Sequence, residues 1–344
     1  MVHETITNER IPQGSQICSP MVVPFILLIV GFVALILGAN CLVDGATSVG
    51  IRTKLSPLII GLTIVAFGTS LPELIVNIFS CARGSSGLAI GNIVGSNIMN
   101  ILLILGTAAM IYPIDVSRIS IKRDIPAGLI ATVALLLMAN DFFIGQSHSI
   151  VWIEGIVLLI CAFGYLYLTM VKSEEPNADV EIIQIPMPWG KTILWLCLGT
   201  LGLYLGGELV STNAQKIAKA WGMSEAMIGM TVVAMATSLP ELITSIVAAT
   251  KKNAGIAIGN VLGSNILNIF VVLGISSLIL PLEFDPQMNF NLLFLFFAHA
   301  LMLLFVFTGK DRKISRIEGM MMLLVFASFM VYTILLSRPA GTLS

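Results

Sequence analysis

Two glutamates stand out in an otherwise largely apolar chain: Glu73 and Glu241 each sit in the middle of a long hydrophobic run. An ionised carboxylate at the centre of a membrane helix costs at least ~2.5–3.5 kcal/mol, so such a residue faces a cavity or a partner. No Lys or Arg lies within these runs except near their ends, which leaves either Glu little to pair with. Each is preceded by Thr-Ser-Leu-Pro, at Thr69 to Pro72 and at Thr237 to Pro240. Proline lacks an amide hydrogen and clashes with the carbonyl four residues back, so Pro72 and Pro240 free the carbonyls of Gly68 and Ala236. Broken helix is tolerated at membrane depth only where it is buried in protein or lines a cavity. Thr69 and Glu73 are spaced i, i+4, as are Thr237 and Glu241, which puts each pair on one helix face. The next run carries a polar stripe with the same spacing, Asn92, Ser96 and Asn100, matched by Asn260, Ser264 and Asn268. Gly91, Gly95, Gly259 and Gly263, with Asn92, Asn97, Asn260 and Asn265, read as helix-packing residues. Ser96, Asn100, Ser264 and Asn268 read as facing the site. Two carboxylates with hydroxyls, amide oxygens and freed carbonyls make a hard oxygen set, which suits Ca²⁺ with its about 6–8 oxygen ligands. A softer metal would call for imidazole or thiolate. His3, His148 and His299 are scattered, and Cys41, Cys81, Cys161 and Cys197 lie in or beside apolar runs, where small buried thiols are ordinary.

The elements that carry these residues come from a duplication. The segment from Gly61, GLTIVAFGTSLPELIVNIFS…AIGNIVGSNIMNILLILG, returns from Gly229 as GMTVVAMATSLPELITSIVA…AIGNVLGSNILNIFVVLG, at an offset of 168 without a gap. About 25 of 46 positions are identical, including Thr, Ser, Pro, Glu, Asn and Gly that hydrophobicity alone would not match. The 344 residues are 57% hydrophobic and 11% charged, with a mean hydropathy of +0.97, which excludes a soluble globular enzyme. Apolar stretches near the ~20 residues that span a bilayer fall at 21–43, 56–81, 88–112, 125–140, 150–171, 191–211, 226–249, 255–281, 290–308 and 317–336. Five spans separate a position from its copy, so the second copy enters the membrane from the opposite side. The expected fold is an all-α integral membrane protein of about ten transmembrane helices in two inverted five-helix repeats. A polar tail at 1–20 precedes the first half at 21–171, an acidic Pro-containing linker at 172–190 follows, and the second half is 191–344. The tail lacks the basic n-region of a signal peptide, so the first run is read as a retained helix. The net charge of −1 and the absence of basic clusters speak against nucleic acid, and Gly190-Lys191-Thr192 lacks the leading Gly and preceding strand of a nucleotide loop. No cofactor is expected, and the partners expected are the lipid bilayer and the ions themselves.

The two copies resemble the α-repeats of the cation/Ca²⁺ exchanger superfamily, and the ten-span arrangement is similar to the prokaryotic sodium/calcium exchangers. The duplicated GTSLPE/ATSLPE and GNxxGSN patterns carry this resemblance over nearly the whole chain. It implies cation contacts from the carbonyls of Ala66 and Ala234 and from Thr69, Ser70, Glu73, Ser96, Asn100, Thr237, Ser238, Glu241, Ser264 and Asn268. Asn268 departs from the pattern, since many relatives have Asp there. The resemblance implies a multi-pass protein of a prokaryotic cell membrane that exchanges Na⁺ for Ca²⁺ by alternating access. A Ca²⁺/H⁺ antiporter or a cation channel is the alternative.

Orientation follows from loop charge. With the N-terminus outside, about 13 Lys and Arg, from Arg52 to Arg316, face the cytoplasm, against 5 outside, namely Arg10, Arg83, Lys216, Lys219 and Arg338. Both termini are then outside. A cysteine placed in the 251–254 turn is expected to be shielded from an impermeant thiol reagent added to intact cells, while one at 84–86 reacts. The reverse labelling pattern overturns the topology.

Overall fold

The computed structural model describes residues 22–142, 148–171, 185–221, 234–309 and 312–336. The tail at 1–20, most of the linker at 172–190 and the first residues of the span expected at 226–249 lie outside the described residues. The chain is mostly helical. Helix α1 is Val22–Thr53; α2, Pro57–Thr69, meets α3, Leu71–Ala82, at a 42° bend; α4 is Ser86–Ile111. Then come α5, Ile125–Ala139, α6, Trp152–Val171, and α7, Trp189–Ala220. The short α8, Ala234–Thr237, precedes α9, Leu239–Thr250, and α10, α11 and α12 are Ala254–Ile279, Asn289–Thr308 and Arg316–Leu336.

Among the described residues seven helices are long and apolar enough to cross a membrane, or eight when the bent pair α2 and α3 counts as one. Two of the ten expected spans fall short. Helix α5 is continuous with a π-helical turn at Ser120–Asp124 that carries Lys122, Arg123 and Asp124, so it lacks apolarity, and α9 has 12 residues, the upstream part of its expected span lying outside the described residues. Two others overrun their apolar stretches. Helices α1 and α7 are 32 residues each, about 48 Å at 1.5 Å per residue, longer than the ~30 Å apolar layer. Hydropathy falls at Asp44 and Glu208, but nothing there breaks a helix, so winding continues to Thr53 and Ala220.

Four two-residue strands tie the halves together. Ile114–Asp115, after α4, pairs antiparallel with Lys313–Ile314, before α12; Ser149–Ile150, before α6, pairs with Leu282–Glu283, after α10. Each ladder therefore joins a helix end in one half to a helix start in the other. Beside them, Glu318 accepts from the Ser315 amide at 2.7 Å and Glu154 from the Val151 amide at 3.0 Å, which caps α12 and α6.

Glycines set the closest contacts. A Cβ added to Gly38 would lie 2.8 Å from the Leu203 nitrogen, at Gly199 2.6 Å from the Leu42 nitrogen, and at Gly31 2.8 Å from Val210 Cγ2. Early residues of α1 thus meet late residues of α7, and the two helices run antiparallel at backbone distance. Their ends are fastened as well: Arg52 Nη2 donates to the Met187 carbonyl at 2.6 Å, and the Ser48 and Thr192 hydroxyls lie 3.0 Å apart. On the other side of the molecule Gly259 and Gly263 let α10 press against α2, where added Cβ atoms would come within 2.5 and 2.6 Å of the Leu58 and Leu62 carbonyl oxygens. This bears out the packing role read for those two glycines.

Equivalent faces of α3 and α9 are covered unequally. Helix α1 packs along α9, and Lys251 Nζ reaches Asp44 Oδ1 of α1 at 2.7 Å, whereas α7 makes little contact with α3. Val247 of α9 is 7% exposed; its counterpart Phe79 of α3 is 58% exposed.

Close backbone approach predicts a specific sensitivity. Gly199→Val forces a branched side chain onto Leu42 and is expected to cost about 1–3 kcal/mol, read as a lower unfolding midpoint in detergent. Gly164→Ala, on an exposed face of α6 with nothing within 4 Å, is expected to leave the midpoint unchanged. Equal midpoints for the two variants would show that the α1–α7 contact is not tight.

Candidate functional site

The helix breaks decide where the carboxylates stand. Ser70 has φ −84° and ψ 3°, Ser238 φ −90° and ψ 5°, both in the sparsely populated bridge region that separates one helix from the next. Leu71 and Leu239 then begin new helices with Pro72 and Pro240 in the first turn, where a missing amide hydrogen costs nothing. Glu73 and Glu241 consequently lie in the first turns of α3 and α9, not in mid-helix. The partial positive charge of a helix N-terminus favours an anion by about 0.3–1 kcal/mol or more when buried.

Both glutamates are buried, and neither forms an ion pair with any described residue. Ser70 Oγ donates to Glu241 Oε1 at 3.2 Å, leaving Glu241 Oε2 bare. Neither oxygen of Glu73 has a hydrogen-bond partner, although the hydroxyls of Ser96 and Ser238 are close enough to interact with it. Those two hydroxyls bond each other instead, Ser238 Oγ donating to Ser96 Oγ at 3.1 Å. The carboxylate of Glu241 is near enough for repulsion with Glu73.

Hydrogen bonds around these groups cross between the two copies and repeat at the 168-residue offset. Thr69 Oγ1 donates to Asn260 Oδ1 at 3.0 Å, and Thr237 Oγ1 to Asn92 Oδ1 at 3.3 Å. Asn100 Nδ2 donates to Asn265 Oδ1 at 2.9 Å, and Asn268 Nδ2 to Asn97 Oδ1 at 3.0 Å. Each bond spends the proton of a candidate ligand on the far half and leaves that ligand's oxygen facing the other way. The Ala66 carbonyl accepts from the Ser70 amide at 2.9 Å and lies 3.3 Å from Thr69 Oγ1. Ala234 opens α8.

Ten buried side-chain atoms lack a hydrogen-bond partner among the described residues, and six of them belong to this cluster: Glu73 Oε1 and Oε2, Glu241 Oε2, Asn100 Oδ1, Asn268 Oδ1 and Ser264 Oγ. All six are oxygens. A buried polar atom left bare ordinarily costs about 1–3 kcal/mol. Oxygens of this kind are the ligands that a hard cation could take.

The sequence reading placed Asn92, Asn97, Asn260 and Asn265 in packing alone. They do join the halves, but each also orients a candidate ligand. Asn92 and Asn260 stand four residues before Ser96 and Ser264, and Asn97 and Asn265 three before Asn100 and Asn268, a spacing visible in the sequence; which amide end each presents was not. A second unforeseen feature is that α4 and α10 widen to π-helix over Asn100–Leu105 and Asn268–Leu273, starting at the candidate ligand in both copies. Such bulges recur at functional sites and leave no mark in hydropathy. His148 lies beside Asp141, and His299 bonds the Leu295 carbonyl of its own helix. Cys41, Cys81, Cys161 and Cys197 are free.

A family profile described as "Sodium/calcium exchanger protein" matches residues 23–171 and 191–335. The chain is 36% identical over 314 residues to "Putative antiporter CaxA" of Alkalimonas amylolytica, across 90% of this chain and 98% of the relative. Identity to "Sodium/calcium exchanger MaX1" of Methanosarcina acetivorans is 31% over 349 residues, again across 90% and 98%. A solved structure of the sodium-calcium exchanger NCX_Mj, soaked with 2.5 mM Na⁺ and 10 mM Sr²⁺, matches with a TM-score of 0.77 and 32% identity, over 90% of this chain and 99% of that one.

Proposed function

The chain belongs to the sodium/calcium exchanger family of multi-span membrane antiporters, and we propose that it exchanges Na⁺ for Ca²⁺ at a single midplane site. The observation that carries this reading is the cradle of six bare, buried oxygens on Glu73, Glu241, Asn100, Asn268 and Ser264. Thr69, Ser70, Ser96, Thr237 and Ser238, with the carbonyls of Ala66 and Ala234, supply the remaining contacts. Glu73 and Glu241 neutralise the cargo. Neutral oxygens in this number favour Na⁺ as the counter-ion, because a proton would need only the carboxylates. The names of MaX1 and NCX_Mj point the same way.

In this reading two five-helix halves, 21–171 and 191–344, lie inverted about the site, joined by the linker at 172–190, with ten spans in all and both termini outside. The antiparallel packing of α1 on α7, which occupy equivalent places in the two halves, supports the inversion. Alternating access is supported by the division of labour: the candidate ligands lie on α2, α3, α4, α8, α9 and α10, and none lies on α1 or α7. The α1–α7 unit slides across the site. Coverage of α9 and exposure of α3 fit a state open on the side of Phe79, which the loop charges put outside. Relatives in bacteria and archaea point to a prokaryotic cell membrane.

Reconstituted vesicles loaded with ⁴⁵Ca²⁺, with Na⁺, H⁺ and K⁺ gradients imposed in turn, test the coupling ion. Na⁺ is expected to drive flux, and a response to H⁺ alone overturns the reading. In the same vesicles Glu73→Gln and Glu241→Gln each leave one negative charge against Ca²⁺ and are expected to abolish exchange in protein that still folds and inserts. Near-normal flux in either variant removes the central claim.

Charge bounds the ion count. With Asn at both 100 and 268, two ionised glutamates give the site a charge of −2, which one Ca²⁺ or two Na⁺ cancel. A third Na⁺ leaves one positive charge in excess, worth ~2.3 kcal/mol per 100 mV if it crosses the whole field. An Asp at 268 would bring a further charge, and the resemblance to potassium-dependent relatives links that position to K⁺. Exchange here is therefore expected to run at full rate with K⁺ rigorously absent. Strict dependence on K⁺ would show that residue 268 does not decide the matter.

A further inference from the structure

The amides of Asn100 and Asn268 can help bind a cation only if their oxygens, not their NH₂ groups, face it. Rotation by 180° about the terminal side-chain bond exchanges the two ends with almost no change in shape, so packing alone does not choose. Asn97 and Asn265 make the choice. Asn97 Nδ2 donates to the Asn265 backbone carbonyl at 3.1 Å, and Asn265 Nδ2 donates to the Asn97 carbonyl at 3.3 Å. A backbone carbonyl cannot be turned round and can only accept. It therefore fixes each of these amides with its NH₂ toward the opposite copy of the repeat and its oxygen away from it. Those oxygens accept from Asn268 and Asn100 at 3.0 and 2.9 Å, and this uses the NH₂ ends of the two candidate ligands. Their own oxygens are left bare and buried.

All four asparagines are buried, so bulk water does not compete for the bonds of this network. Turning Asn97 would set its oxygen against the Asn265 carbonyl and its NH₂ against the NH₂ of Asn268, with two bonds lost and two like ends opposed. The orientation is thus inherited from carbonyl to clasp to ligand. The carbonyls used lie three residues before the points at which α4 and α10 widen to π-helix.

We propose that Asn97 and Asn265 are positioning residues, a reciprocal amide clasp that aims the Asn100 and Asn268 oxygens into the cation site. This rests on the site proposed above. The clasp acts on the cation only through those two ligands, which separates it from a purely structural role. If Asn97 holds the fold and nothing more, its loss and that of the Asn268 oxygen act independently.

A double-mutant cycle on the purified full chain reads the difference by ⁴⁵Ca²⁺ binding in detergent. Asn97→Leu keeps the branching of the side chain while removing both polar ends; Asn268→Ala removes the ligand. Each is expected to weaken Ca²⁺ binding about tenfold, the scale of one lost polar contact. The double variant is expected to bind no more weakly than Asn268→Ala alone, because nothing remains for the clasp to aim. Unchanged binding in Asn97→Leu, or a double variant weakened by the product of the single effects, overturns the proposal. Should Asn97→Leu not give a monodisperse protein, the mirror cycle of Asn265→Leu with Asn100→Ala decides by the same criterion. Glu73→Gln, measured alongside, separates the two levels. If Glu73→Gln abolishes Ca²⁺ binding while Asn97→Leu leaves it intact, only the clasp fails; if Glu73→Gln and Asn268→Ala both bind Ca²⁺ normally, the site fails and the clasp with it.

Discussion

Two carboxylates buried in one cluster of a membrane protein, with no lysine or arginine among the described residues to meet them, are a constraint that the rest of the structure has to accommodate. Several features answer that one demand. The Ser70 and Ser238 breaks put each glutamate in a first helical turn, where backbone N–H groups are unspent. The Ser70 hydroxyl reaches Glu241 from the other copy. These contacts compensate only part of the cost, since three of the four carboxylate oxygens stay bare. A protein that completed the neutralisation internally, with a buried Lys or Arg, would be more stable empty and would have no use for a cation.

The same bonds restrict how the molecule can move. Thr69 is held by Asn260, Thr237 by Asn92, Asn100 by Asn265 and Asn268 by Asn97, each across the boundary between the copies. Pulling the copies apart at the centre would break all four and strand buried polar groups. Motion has to occur elsewhere. Helices α1 and α7 are fastened to each other by glycine contacts and by Arg52 on the Met187 carbonyl, while they face the breaks through Leu42, Thr200 and Gly207, small or flexible groups that make no hydrogen bond there. In the proposed cycle this tightly joined pair moves as one unit, and its contact with α9, which includes the Lys251–Asp44 ion pair, has to be exchanged.

How much of this was legible depended on whether the physics involved was local. Duplication, the proline breaks and the carboxylates are properties of type and spacing, and the sequence displays them directly. The i, i+4 stripes singled out Ser96, Asn100, Ser264 and Asn268; the oxygens of Asn100, Ser264 and Asn268 are bare, while Ser96 bonds Ser238 and both Asn100 and Asn268 also join the halves. What spacing could not say is which end of an amide faces which neighbour, because that is fixed by carbonyls 168 residues away in the chain. The π-helical turns were hidden for a similar reason: a widened turn answers three-dimensional crowding, and NILLIL and NIFVVL are ordinary apolar helix by composition. The full lengths of α1 and α7 were hidden because hydropathy marks where lipid ends and not where a helix does.

A chain made of two similar copies has a further property that neither copy has alone. The copies match in sequence, yet here they differ in coverage: α1 lies along α9, and the corresponding face of α3 is open. If one copy can adopt each environment, the arrangement with the roles exchanged is built from nearly the same contacts, and its free energy differs only through residues that the duplication has not kept alike. One difference is visible: Lys251 finds the Asp44 carboxylate on the covered side, whereas among the described residues its counterpart Arg83 forms no ion pair on the open side. Exposed ion pairs are worth about 0–1 kcal/mol, which biases such an equilibrium without locking it. Transport by the proposed cycle needs that balance. A duplicated chain approaches it by near-symmetry, and a few unlike residues at the two rims are enough to decide which side of the site is open at rest.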